Sequence, residues 1–272
     1  MLKNSSKSRF TPPADWSAVL LTANPIFTDL LARFPLQNQS HWPEPAQLNN
    51  WRSHTDFSFV ENALLEQDGR YYEDFIFATR QIPTRAANWH DFFGALIWCL
   101  LPRTKALLNQ LHIAEIAKHG QKQRTQLRNK LTLFDECGVV LCLEPSAVAH
   151  AGLLRDHQWQ QSFWLQRADW WQGVRPLIFG HAIYEMATVP FLGLTAKAVF
   201  IEVPAGFSQW SLTDAYTFLD EKLLLQIANN HLLLDNLQLT PLPLLGVPGW
   251  YVANQQAEFY ANTDYFRPRR RP

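Results

Sequence analysis

The chain has 272 residues, 47% hydrophobic and 18% charged, a balance that excludes a disordered protein and fits one large globular unit. Lys and Arg number 24, as do Asp and Glu, so the formal net charge is zero and no global field draws the protein to nucleic acid or anionic lipid. Three cysteines, Cys99, Cys137 and Cys142, with no CxxC pair, argue against a disulfide framework and a thiolate zinc site and point to a reducing, cytosolic compartment.

Residues 1–15 read as a loose arm, basic but without the apolar stretch of a secretory signal. Asn24 followed by Pro25 is a helix start, so PIFTDLLARF is a short helix that stops before Pro35. QNQSHWPEPA is a loop into a helical turn over 47–52. FSFV, ALLEQ and RYYEDFIF are expected strands, with Asp68-Gly69 as a hairpin turn, and QIPTRAA is a connector.

The stretch NWHDFFGALIWCLLPRTKALLNQLH, 88–112, is the most informative. Asn88 is a good N-cap, and Asp91, three residues on, can reach back to the Asn88 backbone as a variant capping box. The run FFGALIWCLL is far too short to span a bilayer and fits a buried core helix. Pro102 breaks that helix, and a second one carries Leu107, Leu108 and Leu111 and is expected to run on towards Lys130. LTLF and GVVLCL read as strands on either side of Asp135, Glu136 and Gly138. The 145–173 region is expected to be helical and holds Trp159, Trp164, Trp170 and Trp171. Gly180 opens a helix, HAIYEMA, and AKAVFIEV is a strand. Ser211 and Asp214 cap a helix running to about 229, and a Pro/Gly-rich tail ends in FRPRRRP. The whole predicts an α+β fold: a mostly helical single domain over 16–266 around a central buried helix, with a small sheet, and a basic tail over 267–272.

Six motifs, NWHDFFGALIW, PRTKALLNQLH, LTLFDECGVV, FGHAIYE, PLPLLGVPGW and FRPRR, occur in this order. Together they resemble a family of proteobacterial proteins catalogued only as a domain of unknown function. The resemblance covers most of the chain, from about 59 to 270, and implies a bacterial protein built as one domain. It implies no mechanism.

The chemistry must therefore come from residue types and spacing. His90 and Asp91 sit in the first turn of a helix, whose field favours an ionised Asp91 and a neutral His90. The competing reading is a capped, hydrogen-bonded helix start. Gly94, one turn on, leaves space beside His90. His181 and Glu185 stand four apart on one helix face and can hold a divalent metal if a third ligand joins them; otherwise they form a stiffening His–Glu bond. Asp135 and Glu136, read between two strands, point to opposite faces or lie in a solvated turn. His90, Asp91, Asp135 and Glu136 are thus the candidate catalytic groups. Arg85, Arg103, Lys105 and Asn109 are candidate substrate-binding residues, with His112 a turn beyond Asn109, although Arg85 can equally pair with Asp91. Two functions stay open. One is a soluble enzyme, a metal-assisted or acid–base hydrolase acting on a small molecule. The other is a non-catalytic module binding a small anion, a protein or RNA through these cations, the terminal Arg267, Arg269, Arg270 and Arg271, and exposed Trp rings. Neutral charge gives no strong nucleic-acid signal, no membrane span is expected, and the oligomeric state is not legible.

Overall fold

The computed structural model describes residues 10–230, 232–233 and 239–269. The first half is helical: α1 (Ala18–Thr22), α2 (Thr28–Arg33), α3 (Pro45–Trp51), α4 (Asn62–Asp68), α5 (Tyr72–Thr79), α6 (Trp89–Leu100), α7 (Pro102–His119) and α8 (Gln126–Cys137). Within it, β1 (Ser58–Glu61) and β2 (Gln81–Thr84) form a parallel pair, Ser58 opposite Gln81. The second half adds β3 (Gly138–Leu143), α9 (Ala149–Arg155), β4 (Val174–Ile178), α10 (His181–Ala187), β5 (Thr195–Glu202), α11 (Leu212–Asn230) and β6 (Thr240–Pro243). Its four-stranded sheet runs β4-β3-β5-β6; β3 and β5 are parallel and the outer strands antiparallel to them. The fold is α+β and mostly helical.

The buried helix expected after Asn88 is α6. Asn88 caps it, its Oδ1 accepting from the Asp91 N–H at 2.9 Å. From Phe92 to Leu100 every side chain except Gly94 is buried. Trp89, Phe92 and Phe93 hold one end in an aromatic cluster with Trp16, Trp42, Phe27 and Tyr184. Among the described residues no helix is long and apolar enough to cross a membrane.

Several expectations change. ALLEQ and RYYEDFIF are not strands but α4 and α5. Gly69, in the left-handed region at φ 76°, closes α4 by donating to Leu65 O, so Asp68-Gly69 ends a helix and turns no hairpin. QIPT is the strand β2, not a connector. LTLF lies within α8, which Thr125 caps and which buries Leu131 and Phe134 three apart on one face. α7 stops at Gly120, at φ 81°, and does not run on to Lys130. The 145–173 region is broken into α9 and single turns at Pro145–Ala147, Gln161–Leu165 and Arg167–Asp169. Trp159 and Trp170 are buried in it, Trp164 is half-buried and Trp171 is exposed, so these rings form no continuous stacking surface. GVVLCL, HAIYEMA and AKAVFIEV take the expected forms as β3, α10 and β5.

Residues 10–15 are anchored, with Pro13 O accepting from Trp89 Nε1 at 2.9 Å. At the other end Arg267 O accepts from Trp159 Nε1 at 2.8 Å and Arg269 pairs with Asp156. Arg270 and Arg271 lie outside the described residues.

Candidate metal centre

Three segments far apart in sequence meet at one point: the first turn of α6, the last turn of α8 and the first turn of α10. Two glycines bring the latter two together. Gly180 donates to Gly138 O at 2.7 Å, and Phe179 donates to the same oxygen at 3.0 Å. A Cβ on Gly180 would lie 2.5 Å from both Glu136 O and Gly138 N, so only glycine lets the start of α10 touch the α8–β3 junction. That contact sets His181 beside Glu136. The space expected above Gly94 is filled by the His181 ring, whose carbons lie 3.9 Å from where a Gly94 Cβ would stand.

The result is a cluster of His90, Glu136 and His181 whose ligand atoms all lie within 4.8 Å of one another. His90 Nε2 and His181 Nε2 are 3.0 Å apart, and each is 3.8 Å from a different Glu136 oxygen. Two imidazole nitrogens on a tetrahedral zinc, each about 2.0–2.1 Å from it, stand about 3.3–3.4 Å apart. The observed spacings bracket that value, so small side-chain shifts would convert the cluster into a ligand set.

The outer partners fit the same purpose. His90 Nδ1 lies 3.1 Å from Glu185 Oε2, which places a proton on Nδ1 and, in the neutral ring, leaves Nε2 free to bind an ion. His181 Nε2 faces that nitrogen at 3.0 Å, and the other ring nitrogen of His181 is Nδ1. That Nδ1 is buried with no hydrogen-bond partner, facing Asp135 with Oδ2 at 3.9 Å. An ion on the two Nε2 atoms would place the His181 proton on Nδ1. That tautomer turns the Nδ1 proton towards the Asp135 carboxylate, whose Oδ2 at 3.9 Å comes within hydrogen-bond reach after a small side-chain shift.

The electrostatics agree. Burial pushes His181 down to about 3, against the pull of Asp135, so the ring stays neutral. His90 is opposed by burial too, but its bond to Glu185 and the charges of Glu136, Glu185 and Asp91 prevail and raise it. Burial raises Glu136, with the His90 charge working against it. Asp135 resists burial because Lys105 and His181 hold it below the ordinary carboxylate range. A cavity of ≈ 290 Å³ opens over the cluster, lined by Arg85, Trp98, Lys105 and His112 among others.

The structure brings together His90, Asp135, Glu136, His181 and Glu185, and redistributes the expected roles. Glu185 does not share an ion with His181; it holds His90 Nδ1, and Glu136 stands at the ligand position instead. Asp135 and Glu136 are neither in a turn nor in a strand, but in the last turn of α8, where both reach His181. Asp91 is tied to Arg85, accepting from its backbone N–H at 2.8 Å and its guanidinium at 2.7 and 2.9 Å, and not from the Asn88 backbone. Lys105 is spent on Asp135. Arg103 lies apart, in a groove with Phe77, Arg80 and Glu221, because its backbone is pinned to Asp220 at the start of α7. Asn109 donates to Glu73 O and Oε2 in an adjoining small cavity. With Arg103 remote and Arg267 and Arg269 at the far tail contacts, these cations do not form a single basic surface.

A second histidine cluster was not foreseen. His150 bonds Ser162 Oγ through Nδ1 at 2.8 Å and Asp169 Oδ2 through Nε2 at 3.1 Å. The residue types are those of a serine nucleophile and its base, but Ser162 is 0% exposed, so no substrate can reach its oxygen.

No curated protein and no solved structure matches the chain. Residues 57–270, which include His90, Glu136 and His181, match the family described as Protein of unknown function (DUF3025), and the chain belongs to that family.

Proposed function

We propose that the protein is a metal-dependent enzyme that hydrolyses a small polar molecule in the cavity over His90, Glu136 and His181. The observation that carries the reading is the convergence of His90, Glu136 and His181, whose ligand atoms all lie within 4.8 Å of one another, with Asp135 behind the buried Nδ1 of His181. Two histidines and one carboxylate leave a coordination position open, the arrangement of catalytic rather than structural zinc sites. An ion held there supplies a polarised water and a Lewis acid. The chain's own residues do the rest. Glu185 and Asp135 orient the two rings, the Arg85–Asp91 pair closes one wall, and Trp98 and Gly94 give the cavity an apolar flank. Three unpaired cysteines support a reducing compartment, in keeping with a cytoplasmic enzyme.

The test is calorimetric titration of the metal-stripped full chain with Zn²⁺, Mn²⁺ and Fe²⁺, the last because the same donor set also suits that ion. One equivalent should bind to the wild type, and His90→Ala, Glu136→Gln and His181→Ala should abolish it while circular dichroism stays native. Hydrolysis of a panel of carboxylic esters, amides and phosphoesters should follow ion loading. A wild type that holds no ion, or an H181A protein that holds it equally well, removes the proposal.

A further inference from the structure

The cavity holds further hydrogen-bonding capacity outside the His90–Glu136–His181 cluster. Of its three fixed cations, Arg85 and Lys105 are each matched to a carboxylate, Asp91 and Asp135. Arg124 is not. Its guanidinium is held by two neutral groups, Asn129 Oδ1 at 3.2 Å and Thr132 Oγ1 at 3.0 Å, and no carboxylate pairs with it among the described residues. The guanidinium is therefore positioned but not neutralised. Beside it, His112 lines the same cavity from α7, 6% exposed, and its Nδ1 is buried with no partner. A buried imidazole nitrogen without a partner is destabilising, and a bound ligand can relieve that cost.

We propose that His112 and Arg124 form a seat for an anionic oxygen group, a carboxylate or a phosphate, on the molecule whose other end reaches His90, Glu136 and His181. That this molecule is the enzyme's substrate rests on the metal reading, but the seat itself needs no ion. Its charge fits. Arg85 cancels Asp91, Lys105 cancels Asp135, and Glu136 and Glu185 both stand against His90. Arg124 then remains, opposed only by Glu73, whose carboxyl burial pushes towards its neutral form against the Asn109 hydrogen bond. Burial also holds His112 at about 4, so at neutral pH it offers one donor and one acceptor rather than a second cation. A cavity of ≈ 290 Å³ lies at the small end of ligand sites, which suits a metabolite-sized anion and not a polymer.

The experiment follows the histidine ring signals by NMR in metal-stripped protein titrated with inorganic phosphate and, in parallel, with acetate at constant ionic strength. The His112 signal should move saturably with at least one of the two anions, and the tighter one names the group. Arg124→Gln, at an exposed position, should weaken that binding at least about tenfold. His112→Phe should weaken it as well, with a native circular dichroism spectrum as its control, and both variants should keep the wild-type affinity for the divalent ion. An unmoved His112 signal with both anions, or an R124Q protein that binds them as the wild type does, overturns the seat. Loss of ion binding in the wild type would overturn the metal reading instead, and the two failures are read in separate titrations.

Discussion

Among the described residues two histidine clusters are built from similar residues, and they differ in what is left over. At His150 both ring nitrogens are used, on Ser162 and Asp169, the ring is 1% exposed and nothing is orphaned. At His90 and His181 two rings share one hydrogen bond, carboxylates crowd round, and a buried nitrogen has no partner beneath an open cavity. The first cluster is complete as it stands and stabilises the packing of α9 on the turns after it. The second keeps bonding capacity that no protein group uses. Residue type does not separate them; unspent bonding capacity with solvent access does.

The largest expected effect comes from separating the segments of the second cluster. Gly180→Ala should cost about 3 kcal/mol or more, because its Cβ meets backbone that cannot yield. It should also weaken ion binding by moving His181 from Glu136, as urea melts and calorimetry together would show. Equal ion affinity in a destabilised G180A protein would mean that the glycine contact does not set the site.

Acid should act next. His112 and His181 are held at about 4 and about 3 in the folded protein, while an unfolded histidine titrates near 6.5. The unfolded chain therefore binds more protons below about 6.5, and stability falls as pH drops from there through the folded values. For His112 alone the loss is about 3 kcal/mol. His90 is raised, so its contribution to the metal-free protein has the opposite sign: present at low pH and lost as pH rises through its folded value. Protons compete with the ion at His90 first, so ion binding should weaken before the fold does. Urea midpoints and ion affinity measured across pH 8 to 4 would check both, on the order of one point per half unit. A metal-free stability that stays flat between pH 6.5 and 4 would contradict the assignment of the two neutral rings.

A crossed pair of substitutions sharpens the comparison. Glu185→Gln should lower ion affinity about 10–100-fold with little change in stability, because it alters only what orients His90. Ser162→Ala should do the reverse, costing about 1–3 kcal/mol by orphaning His150 Nδ1 and leaving ion binding untouched. If Ser162→Ala changed ion affinity, the two clusters would be coupled. The smallest effect belongs to Gly94→Ala. The new methyl group makes ordinary contact with the His181 ring, so ion affinity should hold and stability should rise by up to about 1 kcal/mol.

Local chemistry was legible in the sequence where local rules decide. Asn88 caps α6, Pro102 starts α7 after the break, Ser211 and Asp214 open α11, and β3, α10 and β5 carry their own patterns. Short apolar runs were not legible. LTLF and RYYEDFIF suit a strand or a helix equally, and packing of Leu131, Phe134, Phe75 and Ile76 against the core made them helices. That error hid the site, because only a helix puts Asp135 and Glu136 together at one end.

By itself, then, the sequence determined the family and the buried helix with its cap, and it offered His90, Asp91, Asp135, Glu136, His181 and Glu185 as candidates without saying which of them meet. Only the tertiary structure decided which carboxylate stands where. Glu185 lies four residues from His181 but reaches the ring of His90, 95 residues away, and Glu136 reaches both rings from a third segment. The physical reason is the backbone contact of Gly180 with Gly138. It fixes α10 against α8, and it depends on two residues without side chains whose partners lie more than forty positions apart, beyond any local pattern.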